Sequence, residues 1–196
     1  MRALVVHAHP SPDSLSAALF ATATDTLRQR GHEVATLDLY AERFAPAMSA
    51  EERRAYHTDS PICSSQVARH AELVRWADAL VFVYPTWWVG PPAALKGWLD
   101  RVLVPGVAFH LDERTNKVVS DLRHVRTVVG ISTYRSSWGA VRLVHDSGRR
   151  IILRALRMLC SRACRTRWMA LYSADDASEA RREAFVTRVE RRLSGL

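Results

Sequence analysis

Three stretches of the sequence carry side chains suited to holding a ligand. The first is His7-Ala8-His9-Pro10-Ser11-Pro12-Asp13-Ser14-Leu15-Ser16. It offers the His9 ring, the hydroxyls of Ser11, Ser14 and Ser16, and the free N–H groups of a helix start. A helix N-terminus favours an anion, so this set can hold a phosphate without glycines. Asp13 opposes that unless it faces away, and Ser11 or Asp13 could simply cap the helix. There is no G-x-G-x-x-G after the first apolar run and no G-K-[ST], which excludes the dinucleotide fingerprint and the P-loop. His7 and His9 form one H-x-H pair without a third ligand, so no metal site is expected.

The second stretch is Pro85-Thr86-Trp87-Trp88-Val89-Gly90. Two adjacent tryptophans in an extended loop cannot both point inward. At least one should face a cleft, where a flat ring could stack on it. The third, Ile131-Ser132-Thr133-Tyr134-Arg135-Ser136-Ser137-Trp138-Gly139, is crowded with hydroxyls and adds the charge of Arg135. It could be a helix cap or a cover over a ring system.

These stretches need elements to bring them together. Ala3–Val6 reads as a buried strand, followed by a helical pattern through Leu15, Leu19 and Leu27 that stops at Gly31. Val34–Leu39 is a second strand, Ser49–Tyr56 a short helix and Ser65–Trp76 a longer one. Ala79–Tyr84 is the strongest buried strand. Pro91-Pro92 suits a helix start before Ala93–Leu103. Val125–Ile131 is a fourth strand, 138–159 a long helix interrupted or capped near Gly148, Arg167–Tyr172 a fifth strand, and Ser178–Leu193 a terminal helix. This alternation predicts an α/β fold, a doubly wound five-stranded parallel sheet with helices on both faces, forming one domain over residues 1–196. In such a sheet a ligand sits beyond the carboxyl ends of the strands where the order reverses. The three unusual stretches fall there.

Composition bounds the class. The chain has 196 residues, 48% of them hydrophobic, and a formal charge of +8. No apolar run approaches the ~20 residues of a membrane span, and the start is too polar for a signal peptide, so a cytoplasmic protein without membrane contact is expected. The charge is uneven: residues 1–122 carry 12 basic and 14 acidic side chains, residues 123–196 carry 16 and 6. The basic half suits an anionic cofactor or substrate. No nucleic-acid reading motif accompanies it, and no nucleic acid is expected as a partner. Cys63, Cys160 and Cys164 read as three reduced core thiols.

His9-Pro10, Ser14-Leu15-Ser16 and the run from Tyr84 through Pro91-Pro92 to Phe109 resemble the NAD(P)H:quinone oxidoreductases of the flavodoxin-like superfamily. The resemblance covers about the first two-thirds of the chain and is most specific between Tyr84 and Phe109. It implies a flavodoxin-like fold, a bound FAD or FMN, NAD(P)H as co-substrate, ping-pong two-electron hydride transfer to a small aromatic acceptor such as a quinone, and a homodimer. By position, His9, Ser14, Leu15 and Ser16 would hold the phosphate end of the flavin. Pro85, Thr86, Trp87, Trp88 and Val89 would lie along its ring; the family's T-T-G-G loop falls on Ser132-Thr133-Tyr134-Arg135, of which Ser132, Thr133 and Tyr134 would also bind the flavin. Tyr134 and Arg135 stand where that loop has glycines. Tyr134 and His145 are the nearest candidates for the family's catalytic Tyr and His. The alternative is a flavoprotein without turnover, an electron carrier or a regulatory partner. The arginines at 142, 149, 150 and 154 could favour NADPH.

Overall fold

The computed structural model describes residues 1–196. In chain order its elements are β1 (Arg2–His7), α1 (Leu15–Gln29), β2 (Glu33–Asp38), α2 (Ala50–Ala55), α3 (Ser65–Trp76), β3 (Ala79–Pro85), α4 (Ala93–Val102), β4 (Phe109–Leu111), β5 (Val118–Ser120), β6 (Thr127–Thr133), α5 (Trp138–Leu143) and α6 (Ser147–Arg150). A π-helical turn (Ile151–Leu156) follows, then α7 (Arg157–Leu159), β7 (Arg165–Leu171) and α8 (Glu179–Leu193). Five strands pair in parallel in the order β2-β1-β3-β6-β7, and β4 and β5 form a separate antiparallel hairpin. The five parallel strands are those the alternation of apolar runs predicts, and their order is that of the flavodoxin-like fold the resemblance implies.

The central strands are apolar throughout because both faces are covered. Side chains alternate across the sheet. Leu4, Val6, Leu80 and Phe82 face α3, α4 and the π-helical turn, with Trp98 at the centre of that layer. Ala3, Val5, Val81 and Val83 face α1 and α8 through Leu19, Leu27 and Phe185. The two layers share one sheet, so α1 and α4 leave neighbouring strands on opposite faces. A crevice therefore opens between β1 and β3, where the strand order reverses. Two glycines permit close packing. A Cβ on Gly97 would lie 2.1 Å from the Pro46 carbonyl oxygen, and one on Gly130 would lie 2.1 Å from the Trp168 ring.

Four expectations change in detail. The last two sheet strands run Thr127–Thr133 and Arg165–Leu171, not Val125–Ile131 and Arg167–Tyr172, because the register pairs Thr127 with Arg165 and Thr133 with Leu171. The β4–β5 hairpin, three exposed or half-exposed residues a side, has too short a pattern to signal itself. The long helix breaks at His145 and Asp146, which both take left-handed backbone (φ 64° and 38°), and resumes only after the Asp146 side chain caps the Arg149 N–H. The cysteines do not form a core trio: Cys63 is exposed, while Cys160 and Cys164 are buried free thiols at the end of α7 and just before β7. Burial pushes the Cys160 thiol up to about 12.

Candidate functional site

The chain beyond β1 turns at His9 and Ser11. The Ser11 N–H donates to His9 Nδ1 (3.0 Å), which fixes the ring and leaves Nε2 as its open edge. Ser14, neither Ser11 nor Asp13, caps α1: its Oγ accepts from the Ala17 N–H (3.1 Å) and donates to the Ser11 carbonyl (2.9 Å). The N–H groups of Leu15 and Ser16 sit in the first turn, where a helix offers them no acceptor. The Ser16 hydroxyl is buried and has no hydrogen-bond partner. A buried hydroxyl without a partner costs free energy unless something else satisfies it.

The chain beyond β3 is held against β6. The Thr86 N–H donates to the Thr133 carbonyl (2.8 Å). The Thr86 and Ser132 hydroxyls meet at 2.8 Å. A tight turn follows, closed by reciprocal bonds between the N–H and carbonyl groups of Trp87 and Gly90 (both 3.0 Å). Its central residues, Trp88 and Val89, have φ of 48° and 62°. Backbone of this kind favours Asn-Gly, and for a β-branched valine it is strained by roughly 1–3 kcal/mol. The turn throws the Trp88 side chain fully into solvent, while Trp87 is 41% exposed. Ser147 Oγ donates to the Val89 carbonyl and buttresses the turn from α6.

One cavity of about 460 Å³ joins these loops. His9, Ser14, Leu15 and Ser16 form one side, Pro85, Thr86 and Trp87 a second, and Thr133, Tyr134 and Arg135 a third. The His9 and Trp87 rings lie 6.0 Å apart at its edge. Ala174, Asp175 and Arg182, in the loop after β7 and the first turn of α8, complete the lining and were not singled out by the sequence. Asp13 lines a separate hollow against α8, so its charge faces away from the cavity. Trp88, Val89 and Ser132 do not line the cavity. Trp88 points to water, Val89 presents its carbonyl to α6, and Ser132 is buried behind Thr86. His7, one turn of strand below, stacks on Phe20 (4.8 Å) and bonds Asp38 (3.1 Å).

Tyr134 and His145 belong to different surroundings. Tyr134 is buried, stacks on Tyr172 (4.8 Å) and donates its hydroxyl to Asp146 Oδ2 (2.9 Å). Burial pushes its acidity far below that of an exposed phenol, and the Asp146 charge adds to the effect. Burial acts the same way on Tyr84 and Tyr172, again with Asp146 adding to it. Asp146 therefore places a carboxylate among three tyrosines, a centre that a lone Asp within a predicted helix gives no reason to suspect. His145 is exposed and lines a second cavity beside Asp146, Arg142 and Arg149. No group of three or more His, Cys, Asp or Glu side chains in the structure is placed to hold a metal ion. No helix is long and apolar enough to cross a membrane.

Known proteins share the family and the fold. The family described as "Flavodoxin-like fold" matches residues 1–191. NAD(P)H dehydrogenase (quinone) 1 of Rattus norvegicus is 33% identical over 147 residues, covering 67% of this chain and 53% of the rat protein. The chain spans about half the length of the curated relatives it matches first, 54% and 53% of them. The crystal structure of Smu.1420 from Streptococcus mutans UA159 superposes with a TM-score of 0.86 at 29% identity, covering all of both chains. That of an FMN-dependent NADH-azoreductase from Bacillus anthracis in complex with FMN shares the fold, with a TM-score of 0.75 at 15% identity over 100% of this chain and 99% of the other.

Proposed function

Since the chain belongs to the flavodoxin-like fold family, we propose that its 196 residues form one flavin-binding domain of an NAD(P)H oxidoreductase that reduces a quinone or a similar flat aromatic acceptor. One observation carries this reading. Ser16, whose buried hydroxyl has no partner, lines a cavity that also collects a helix N-terminus, His9, Pro85, Thr86 and Trp87. That donor set fits a phosphorylated flavin. Ser14, Leu15 and Ser16 would hold the phosphate end, and Pro85 to Trp87 with Thr133 would flank the ring. Relatives named for quinone dehydrogenation support the acceptor class, and an FMN complex within the same fold supports the cofactor class.

A flavin bound there supplies two-electron hydride chemistry. The protein's share is positioning and charge. The Thr86 and Thr133 backbone, locked by their mutual hydrogen bond, keeps the wall of the cavity rigid. Trp87 narrows its mouth and excludes water. Donor and acceptor would use the same face in turn, which makes the kinetics ping-pong. Tyr134, whose hydroxyl bonds Asp146, and His145, open to solvent in the neighbouring cavity, would be the side chains nearest to assist the transfer. Trp88, Leu143, Val144 and Met158 are all exposed and could be covered by a second copy of the chain.

The test is reconstitution. The purified chain is mixed with excess FMN or FAD and freed of unbound flavin. It is then assayed for NADH and NADPH oxidation with a soluble quinone. Retained flavin absorbance and quinone-dependent oxidation are expected. A protein that retains neither flavin overturns the reading. Retained flavin without turnover turns it into an electron carrier.

A further inference from the structure

A second cavity, of about 520 Å³, opens beside the first. Arg142 of α5, Arg149 and Arg150 of α6, and Arg154 of the π-helical turn all line it. The four stand at i, i+7, i+8 and i+12, the spacing that gathers side chains on one side of a helix, and the left-handed pair His145–Asp146 and the π-helical turn leave them lining one hollow. None of the four guanidinium groups meets a carboxylate; the ion-paired arginines of the structure are Arg2, Arg69, Arg75, Arg101 and Arg135. The one acid in the lining, Asp146, is buried and already engaged by the Tyr134 hydroxyl and the Arg149 N–H. The hollow is therefore strongly positive and its charge is uncompensated. Exposed indole is at hand: Trp138 is 56% exposed, with Arg142 lying 5.2 Å from its ring.

We propose that this cavity binds a phosphate monoester carried on a purine nucleoside, the chemistry of the 2′-phosphorylated adenosine of NADPH. Guanidinium forks match a phosphate dianion in geometry as well as charge, and a flat base has Trp138 and Tyr172 to lie against. The volume is within the range of small-molecule sites. The position suits the reductant's far end. Tyr134 lines the flavin cavity and its hydroxyl reaches Asp146 in this one, so the two hollows share a wall. The proposal rests on the oxidoreductase reading and adds the selection of NADPH over NADH.

Calorimetric titration of the purified chain tests it without turnover, using adenosine 2′-monophosphate, adenosine and inorganic phosphate as probes. The nucleotide should bind at least about tenfold more tightly than either fragment, the difference expected when charge-assisted hydrogen bonds and ring stacking act together. The double variant Arg149→Ala/Arg150→Ala should lose about tenfold or more of that affinity, and its NADPH-to-NADH preference in kcat/KM should fall in step. Arg114→Ala, on the distant hairpin, should bind as wild type. If the alanine pair does not fold, Arg149→Gln/Arg150→Gln takes its place. Equal affinity for nucleotide and adenosine, or undiminished nucleotide binding by the double variant, overturns the proposal. Phosphate binding as tight as the nucleotide's overturns the purine part and leaves a bare anion site. A chain that binds the nucleotide but no flavin refutes the oxidoreductase reading alone.

Discussion

At the scale of single residues, the decisive group is Ser16. Its hydroxyl is buried at the wall of the cavity with no partner in the protein, so on the proposed reading removing it takes nothing from the fold and something from the bound flavin. Ser16→Ala should leave thermal stability within about 0.5 kcal/mol of wild type or raise it, while flavin affinity falls by about 0.5–1.5 kcal/mol, the value of one hydrogen bond. Fluorescence titration and a thermal melt on the same sample read both quantities. Two buried histidines set the response to acid. His7 and His70 are fully enclosed, and burial pushes both below their ordinary value despite the partners Asp38 and Glu42. The folded protein thus binds fewer protons than the unfolded chain. The stability this represents is complete above the unfolded value of about 6.5 and is lost as pH falls below it. Urea unfolding between pH 7.5 and 5 should show that decline, and His7→Asn should flatten it. Asp78 acts in another window. The Arg2 side chain and N–H hold it down to about 2, so its contribution persists until pH drops below the ordinary aspartate range.

At the scale of elements, the turn after β3 stands out. Trp88 and Val89 occupy backbone that glycine would adopt freely. Val89→Gly should stabilise the protein by about 1 kcal/mol if relief of strain exceeds the added freedom of the unfolded chain. It should also loosen the loop and lower turnover, as kcat measured beside the melt would show. The same turn shows what a sequence discloses. Adjacent tryptophans between Pro85 and Gly90 announce that one indole must face outward, because that follows from local chain geometry. Which indole it is, and that Val89 tolerates a positive φ, depends on the reciprocal Trp87–Gly90 bonds and on α6, far along the chain. The break at His145–Asp146 was legible only as a blemish near Gly148. The Tyr134–Asp146 bond accompanies it, a tertiary contact with no periodic signature.

At the scale of the whole molecule, the apolar runs of β1 and β3 disclose strands covered on both faces, while the order β2-β1-β3-β6-β7 follows from the resemblance to a family and not from the hydrophobic pattern. The four arginines of the second cavity are legible as a group from their helical spacing; that they line a hollow beside Asp146 and Tyr172 is not, because those two arrive from a helix break and from the end of β7. Assembly is a further property at this scale. Leu143 is 80% and Met158 77% exposed, both on the same broken helix as the arginines. Leu143→Glu with Met158→Glu should shift a dimer towards monomer in light scattering at micromolar concentration. A dimeric mass unchanged by the two substitutions would assign the contact to another face, and a monomeric wild type would refute the pairing.

Trp88 offers a consequence of a more practical kind. Five of the six indoles in the chain are at least partly shielded, and this one stands wholly in water at the tip of a stiff turn. Its emission belongs at the long-wavelength edge of the spectrum, open to collisional quenching by iodide. Anything that settles over the turn, whether a neighbouring copy or a stacked aromatic, will drive that emission to the blue and shelter it from the quencher. The protein thus carries its own optical gauge, with no label to attach.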